Sequence, residues 1–411
     1  MKPRSSDNQR GAVLVLFVAV LVVLMLCAGL VVDLGVAYVN HGRLSKAVDA
    51  GALTGARHAS GSDTDIENVV RKVAGANYAG VLPASYEVDI TVPAVDTKRI
   101  AVSARTASPA LFTRIVGREN FALAAAAEAI RYPLDMSLVL DISYSLEINH
   151  AFDDLQDASA QFVDYFDESI DQLGLVTYTT WAQERVAPAK HFKTPIQNTI
   201  RSLAAVSDTN IEEGLRLGKQ QLDNVRARDN AIRIVVLFTD GRPTAFADVF
   251  TMQSGTPATY DGIIAGYQTG TGAWRGLFRK SDGRKVIGFS GGVAITDSNK
   301  SSRNSPAVRR LPDGSAVNSP NIRRVGAAQA EAWADQIRRA GYTIYTIGLG
   351  DPDATDPLWQ PDLQFLRRIA NEDGIVDGSQ PAGALVFAPT PEDLDEVFAK
   401  LADRILTRLT R

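Results

Sequence analysis

The sequence predicts an α/β protein in three parts: an N-terminal transmembrane helix, a small α+β external region, and a C-terminal doubly wound domain with a long insertion. Three observations carry this. Residues Gly11–Val32 run for 22 positions without a charge, enough to span a bilayer core. Leu134–Asp141 (LDMSLVLD) and Ala231–Thr239 (AIRIVVLFT) are apolar and of strand length, as in parallel strands covered on both faces. Helical patterns fall between such runs, which is the alternation of crossover units.

At 411 residues the chain has room for two or three domains and a sizeable core. A net charge of −4, with arginines scattered rather than striped, offers no footprint for nucleic acid. The one cysteine, Cys27, lies in the apolar stretch. No intramolecular disulfide can form, so cysteine does not identify the compartment.

Taken in order, Met1–Arg10 sets Lys2, Arg4 and Arg10 against Asp7. Positive charge before the span predicts a cytoplasmic N-terminus and an external chain after Asp33. The apolar run is long for a secretory signal, and no small-x-small cleavage site follows it. Val36, Val39, Leu44, Val48 and Leu53 then recur near helical spacing, so the helix is expected to continue towards Gly61-Ser62. Asp63–Ala79 reads as an amphipathic helix. YEVDITV and KRIAVSA, separated by Pro93 to Thr97, suit a hairpin. ALFTRIV is a short helix candidate, and FALAAAAEAI leads to a boundary near Tyr132-Pro133. The expected organisation is 1–60 for the cytoplasmic tip, membrane helix and extension, 61–132 for the external region, and 133–411 for the C-terminal domain.

The C-terminal domain presents its chemistry where strands end. Asp141, Ser143 and Ser145 follow the first strand two apart, and Asp240 ends the fourth. Ser207-Asp208-Thr209-Asn210 leads into the helix NIEEGLRLGKQQL. In an open doubly wound sheet the first and fourth strands are neighbours at the switch point, where ligands bind at carboxyl ends. Carboxylates and hydroxyls are hard ligands, suited to Mg²⁺, Ca²⁺ or Mn²⁺ rather than Zn²⁺. By itself the Asp-x-Ser-x-Ser spacing also fits an ordinary strand end with turn-forming residues.

Taken together, Asp141, Ser143, Ser145, Thr209 and Asp240 resemble, in order and context, the metal-ion-dependent adhesion site of von Willebrand factor A (VWA) domains. The resemblance covers roughly the C-terminal two-thirds of the chain. It implies a Rossmann-like domain holding one divalent ion, Mg²⁺ first with Mn²⁺ or Ca²⁺ as alternatives. The hydroxyls would bind directly, the aspartates directly or through water, and an acidic group of a protein partner would complete the shell. Two positions depart from the family: Tyr144 stands where Gly is frequent, and Ser207-Asp208 stand where Gly-Gly is common. Asp208 is expected to add negative charge near the ion.

The stretch from Arg10 to Arg57 resembles the N-terminal segment of TadG-like proteins of the tight-adherence (Flp) pilus machinery. That resemblance implies an inner-membrane helix, a small pilin-like external region and, in some members, a C-terminal VWA domain. Pseudopilins carry Glu five residues after their processing site, where a cut after Gly11 would place Leu16. The reading is a single-pass inner-membrane protein of pilus assembly with its bulk outside the cytoplasm, binding pilus-assembly or envelope components. An envelope adhesion or mechanosensing protein without a tie to pili is the alternative.

The remaining elements follow the same logic. Phe152, Leu155, Phe162 and Phe166 line one face of a helix. LGLVTYTT and AQERVAPA are too close for a crossover helix and should pair antiparallel at the sheet edge. The insertion, Ala245–Pro320, is rich in Gly, Ser, Thr and Asn without helical periodicity, so it is functional, disordered or a small subdomain. A helix (NIRRVGAAQAEAWADQIRRAG), a fifth strand (YTIYTIGLG), a helix (LQFLRRIA) and a last strand (GALVFAP) follow. Leu394, Val397, Phe398, Leu401 and Ile405 form the buried stripe of the last helix.

No enzyme is expected. Gly288-Phe289-Ser290-Gly291-Gly292 fits a hydrolase nucleophile elbow, but His41, His58, His150 and His191 all precede Ser290. The Gly run from Tyr267 to Gly276 lacks the strand-to-helix context of a dinucleotide site, and no phosphate loop or H-E-x-x-H occurs.

Overall fold

The computed structural model describes residues 7–410 apart from 60, 81, 95, 227, 229, 255–256, 268–273, 298–304 and 352–360. Lys2, Arg4 and most of the Gly run between Tyr267 and Gly276 lie outside the described residues. The chain divides into two compact units, Met1–Arg131 with Thr410–Arg411, and Tyr132–Leu409.

The first unit is built on α1 (Asp7–Arg57) and α2 (Asp63–Asn77). α1 is one continuous helix, apolar enough at its start to cross a membrane (mean hydropathy 3.3) and almost unburied there. Its other half packs with α2 on an antiparallel sheet of β1 (Ser85–Ala94), β2 (Thr97–Pro109) and β3 (Asn120–Arg131), in that order. Leu44, Val48, Ala52 and Ala56 of α1 meet Ile66 and Val70 of α2 and Ile100, Val102 and Ala129 of the sheet.

α1 continues as expected, and Leu44 and Val48 of the recurring apolar residues are buried, but small residues make up most of its buried face. Val39 and Leu53 face outward, while Ala37, Ala47, Gly51, Ala52, Gly55 and Ala56 face in. The cause is close approach: a Cβ on Gly55 would stand 2.7 Å from Val70 Cγ2. Small residues let the helices touch, so size rather than hydrophobicity marks this face. Three local details of this unit follow. Ala94 pairs with Thr97, so the hairpin turn is tighter than five residues. FALAAAAEAI lies in β3, and only Thr113–Val116 of ALFTRIV turns, as a 3₁₀ helix.

The second unit is a six-stranded sheet with helices on both faces. Its strands are β4 (Leu134–Asp141), β5 (Gln172–Tyr178), β6 (Ala182–Ala189), β7 (Ile232–Thr239), β13 (Thr343–Leu349) and β14 (Ala384–Ala388). Their order is β14-β13-β7-β4-β5-β6, all parallel except β6 at the edge. Alternate residues of β4 serve opposite faces, as the pleat requires. Leu134, Met136, Leu138 and Leu140 pack with α4 (Phe152–Phe162), α5 (Lys193–Arg201) and α9 (Leu394–Leu409). Val139 packs with α6 (Ile211–Asn224), α7 (Ser319–Arg339) and α8 (Leu363–Ala370). A five-residue helix, α3 (Tyr144–Ile148), follows β4.

The described residues of the insertion form a small subdomain. β8 (Ala245–Thr251), β9 (Thr259–Gly266), β10 (Trp274–Phe278), β11 (Lys285–Ser290) and β12 (Val293–Asp297) form an antiparallel sheet in the order β12-β11-β10-β9-β8. Phe246, Phe250, Ile264, Leu277 and Val286 pack on Ile322 and Val325 of α7. The Gly288–Gly292 motif is the β11–β12 hairpin, whose turn residues Gly291 (φ 56°) and Gly292 (φ 81°) take the left-handed backbone of a two-residue turn. No helix follows Ser290, so the motif is not a nucleophile elbow.

Candidate metal site

Asp141 closes β4, Asp240 follows β7, and these strands are sheet neighbours. The tight turn after β4 is held by Asp141 itself, whose Oδ1 accepts the Ser143 N–H at 2.9 Å. Ser143 Oγ lies 3.0 Å from Ser145 Oγ, which in turn donates to Asp240 Oδ1 at 2.9 Å. Thr239 Oγ1 donates to Asp141 Oδ2 at 2.7 Å. Four of the five expected ligands thus form one buried chain of oxygens.

Thr209 reaches the same end of the sheet by a different route. Its N–H donates to Thr244 Oγ1 (2.9 Å), and its carbonyl accepts from the N–H of Thr244 (2.8 Å) and of Ala245 (3.2 Å). Its loop is tied to the first strand's turn, since Val206 N–H donates to the Ile142 carbonyl (2.8 Å) and Tyr144 N–H to that of Ser207 (3.2 Å). Asn210 caps α6 by accepting from the Glu213 N–H at 3.2 Å. Among the described residues, no hydrogen bond joins the Thr209 hydroxyl to the other four.

The electrostatics are those of an anionic cage. Burial raises the Asp141 carboxyl to about 6. Burial, followed by the charge of Asp141, raises Asp240 to about 8. Asp240 Oδ2 is buried without a hydrogen-bond partner. A buried acceptor left unsatisfied costs roughly 1–3 kcal/mol. A cation bound here would accept this oxygen as a ligand and oppose both upward shifts. Among the described residues no group of three or more His, Cys, Asp and Glu side chains gathers as a metal cluster. The oxygen set, hydroxyl-rich with two carboxylates, is of the donor type that suits a hard divalent ion.

The two departures have structural answers. Tyr144 begins α3 with its side chain exposed. Ser207 has φ 56°, a backbone that glycine adopts more readily. Asp208 does not stand as bare negative charge. Its Oδ1 pairs with Arg275 Nη1 at 2.5 Å, and its Oδ2 accepts from Thr180 Oγ1 (2.9 Å) and Ser207 Oγ (3.1 Å). Arg275 lies on β10 of the insertion. Sequence reasoning missed it because a partner 67 residues away leaves no local signal. It also passed over Thr239, although that residue directly precedes Asp240 and orients Asp141. His150 is an exposed turn residue (φ 54°).

Residues 136–242 match the family model of the von Willebrand factor type A domain. Residues 11–58 match that of the Flp pilus-assembly TadE/G-like family. Among curated proteins none matches. Solved structures similar to the chain include the vWF domain of the type V pili tip protein Mfa5 from Porphyromonas gingivalis, 16% identical with TM-score 0.43 over 68% of this chain and 97% of that one. The PilB minor pilin from Streptococcus sanguinis is 16% identical, with TM-score 0.41 over 80% of this chain and 79% of that one. The pilus adhesin SpaC from Lactobacillus rhamnosus GG is 14% identical, with TM-score 0.44 over 79% of this chain and 35% of that one. The chain joins a TadE/G-like segment to a von Willebrand factor type A domain, the arrangement of a TadG-like protein with a VWA domain.

Proposed function

We propose that this protein is a membrane-anchored component of Flp pilus assembly that captures a protein partner through a divalent ion held by Asp141, Ser143, Ser145, Thr209 and Asp240. The observation that carries the reading is the unpartnered, buried Asp240 Oδ2 beside the Asp141–Ser143–Ser145 chain. The ion, Mg²⁺ or in its place Mn²⁺ or Ca²⁺, supplies an electrophilic point for a partner's Glu or Asp. Two carboxylates roughly balance its charge while leaving room for a third. Binding rather than catalysis is the use proposed: an ion ringed by hydroxyls and two carboxylates offers a point for a partner carboxylate, and His150, five residues after Ser145, is an exposed turn residue.

A pull-down of the detergent-solubilised full chain from its native envelope tests this. One envelope protein should be retained with Mg²⁺, released by EDTA and restored on adding Mg²⁺ back. Asp141→Ala should retain none of it. Equal retention with and without chelator would make the site structural and the reading wrong.

The anchor is proposed to lie in the inner membrane with the N-terminus cytoplasmic, since the positive flank precedes the span. A reporter enzyme active only outside the cytoplasm should be active when fused after Arg57. Activity confined to the cytoplasm would reverse the topology.

A further inference from the structure

We infer that the apolar part of the β2–β3 loop (Ala110–Glu119), Leu111–Val116, enters the lipid beside α1 and forms a second membrane contact; this rests on the reading of α1 as the membrane anchor. The loop carries Leu111, Phe112, Ile115 and Val116, which are 63%, 46%, 80% and 62% exposed. Four large apolar side chains on so short a loop would be a costly surface in water.

Two features place the loop against the span. Asp33, the first charge after the apolar run, is buried and held by the loop's backbone. The peptide N–H groups of Leu111 (2.9 Å), Phe112 (3.0 Å) and Thr113 (2.7 Å) donate to its carboxylate, and so does the Thr113 hydroxyl (2.8 Å). A carboxylate at a membrane boundary is tolerated when protein donors replace water in this way. The same contacts satisfy loop N–H groups that lipid could not. Phe112 then reaches inward from Asp33. A Cβ on Gly29 would stand 2.5 Å from Phe112 Cβ, so the loop lies directly on the helix. Gly29 is four residues, about 6 Å of helix rise, inside Asp33.

Between loop and helix runs an apolar groove of about 510 Å³, lined by Val22, Met25, Leu26, Gly29, Phe112 and Ile115. Its position decides what fills it. If the groove stood in water, only Gly11–Leu21 of the uncharged run would remain to cross the bilayer. Eleven residues of helix rise about 17 Å, little more than half of the roughly 30 Å core. The groove must therefore open to acyl chains, and the loop shares their depth. Arg114 and Arg118 are exposed on the same loop. Their long stems let the guanidinium groups rise to the phosphate level while the apolar residues stay below.

The test uses the full chain in vesicles of phosphatidylethanolamine and phosphatidylglycerol, some carrying nitroxide-labelled acyl chains. An environment-sensitive fluorophore is placed on native Cys27, or on Ile115→Cys or Asp96→Cys with Cys27→Ala. Labels at 27 and 115 should both be quenched by the acyl nitroxide and protected from aqueous iodide, with blue-shifted emission. The label at 96, in the β1–β2 turn, should behave oppositely. Asp33→Ala should release the loop, so that the label at 115 loses nitroxide quenching and gains iodide quenching. If 27 is lipid-quenched while 115 is iodide-quenched, the loop inference fails and the anchor stands. If neither is lipid-quenched, both fail. Protection of 115 from both quenchers would put protein, not lipid, in the groove and would also overturn the inference.

Discussion

Mg²⁺ and Mn²⁺ binding is expected to vanish from calorimetric titrations of the full chain in detergent when Asp141 or Asp240 is replaced by Ala. Each supplies a buried carboxylate to the one oxygen chain that spans the ends of β4 and β7. The loss should exceed the roughly 10–100-fold that follows from changing groups one layer out from a metal. Thr239→Val, which removes only the hydroxyl that orients Asp141, should fall within that smaller range. Unchanged affinity in both aspartate variants would remove the metal site.

The same carboxylates give that experiment a pH signature. Asp141 and Asp240 have folded values raised above the ordinary 3.8, so the metal-free fold binds protons more tightly than the unfolded chain. Their contribution to stability is present in full below about pH 4 and is lost as pH rises through their folded values. Metal-free protein should therefore unfold more easily at pH 8 than at pH 5. Mg²⁺ should raise the unfolding temperature more at pH 8, because the ligands must ionise to bind it. In Asp240→Asn much of this slope should disappear.

The parallel sheet was legible because burial on both faces writes itself as unbroken apolar runs. Leu134–Asp141 and Ile232–Thr239 are such runs, and the chemistry sits just past their ends. Strand adjacency then brought Asp141 and Asp240 together without any side-chain information. The insertion was opaque for the opposite reason. Its strands are five to eight residues long and interrupted by glycines at 262, 276 and 288, so no period is sustained. The packing face of α1 was hidden as well, since Gly51 and Gly55 are chosen for close approach and carry no hydrophobic signal.

Arg275→Ala is expected to lower stability by about 3 kcal/mol, the low end for breaking a buried ion pair, since the Arg275 side chain is a quarter exposed while Asp208 is almost wholly buried. The subdomain itself cannot simply be replaced by a short link. Phe246, Phe250 and Ile264 cover Ile322 and Val325 of α7, and removal would strip that face. A point change is the cleaner probe of how the insertion acts on the metal loop. Asp208 directly precedes Thr209, and Arg275 neutralises it through a 2.5 Å contact. Without the guanidinium, the carboxylate adds uncompensated negative charge next to the ion. Mg²⁺ should then bind more tightly, while the ion's pull on a partner carboxylate weakens. Lys285, lowered by burial and then by the Arg275 charge, also senses Asp208 and would offset part of the effect. Asp208→Asn added to Arg275→Ala should recover much of the stability and return Mg²⁺ affinity towards the wild-type value. Denaturant unfolding and Mg²⁺ titration of the two single variants and the double variant measure the coupling directly. If Arg275→Ala matches wild type in both measurements, the insertion is a cover for α7 and has no hold on the metal loop.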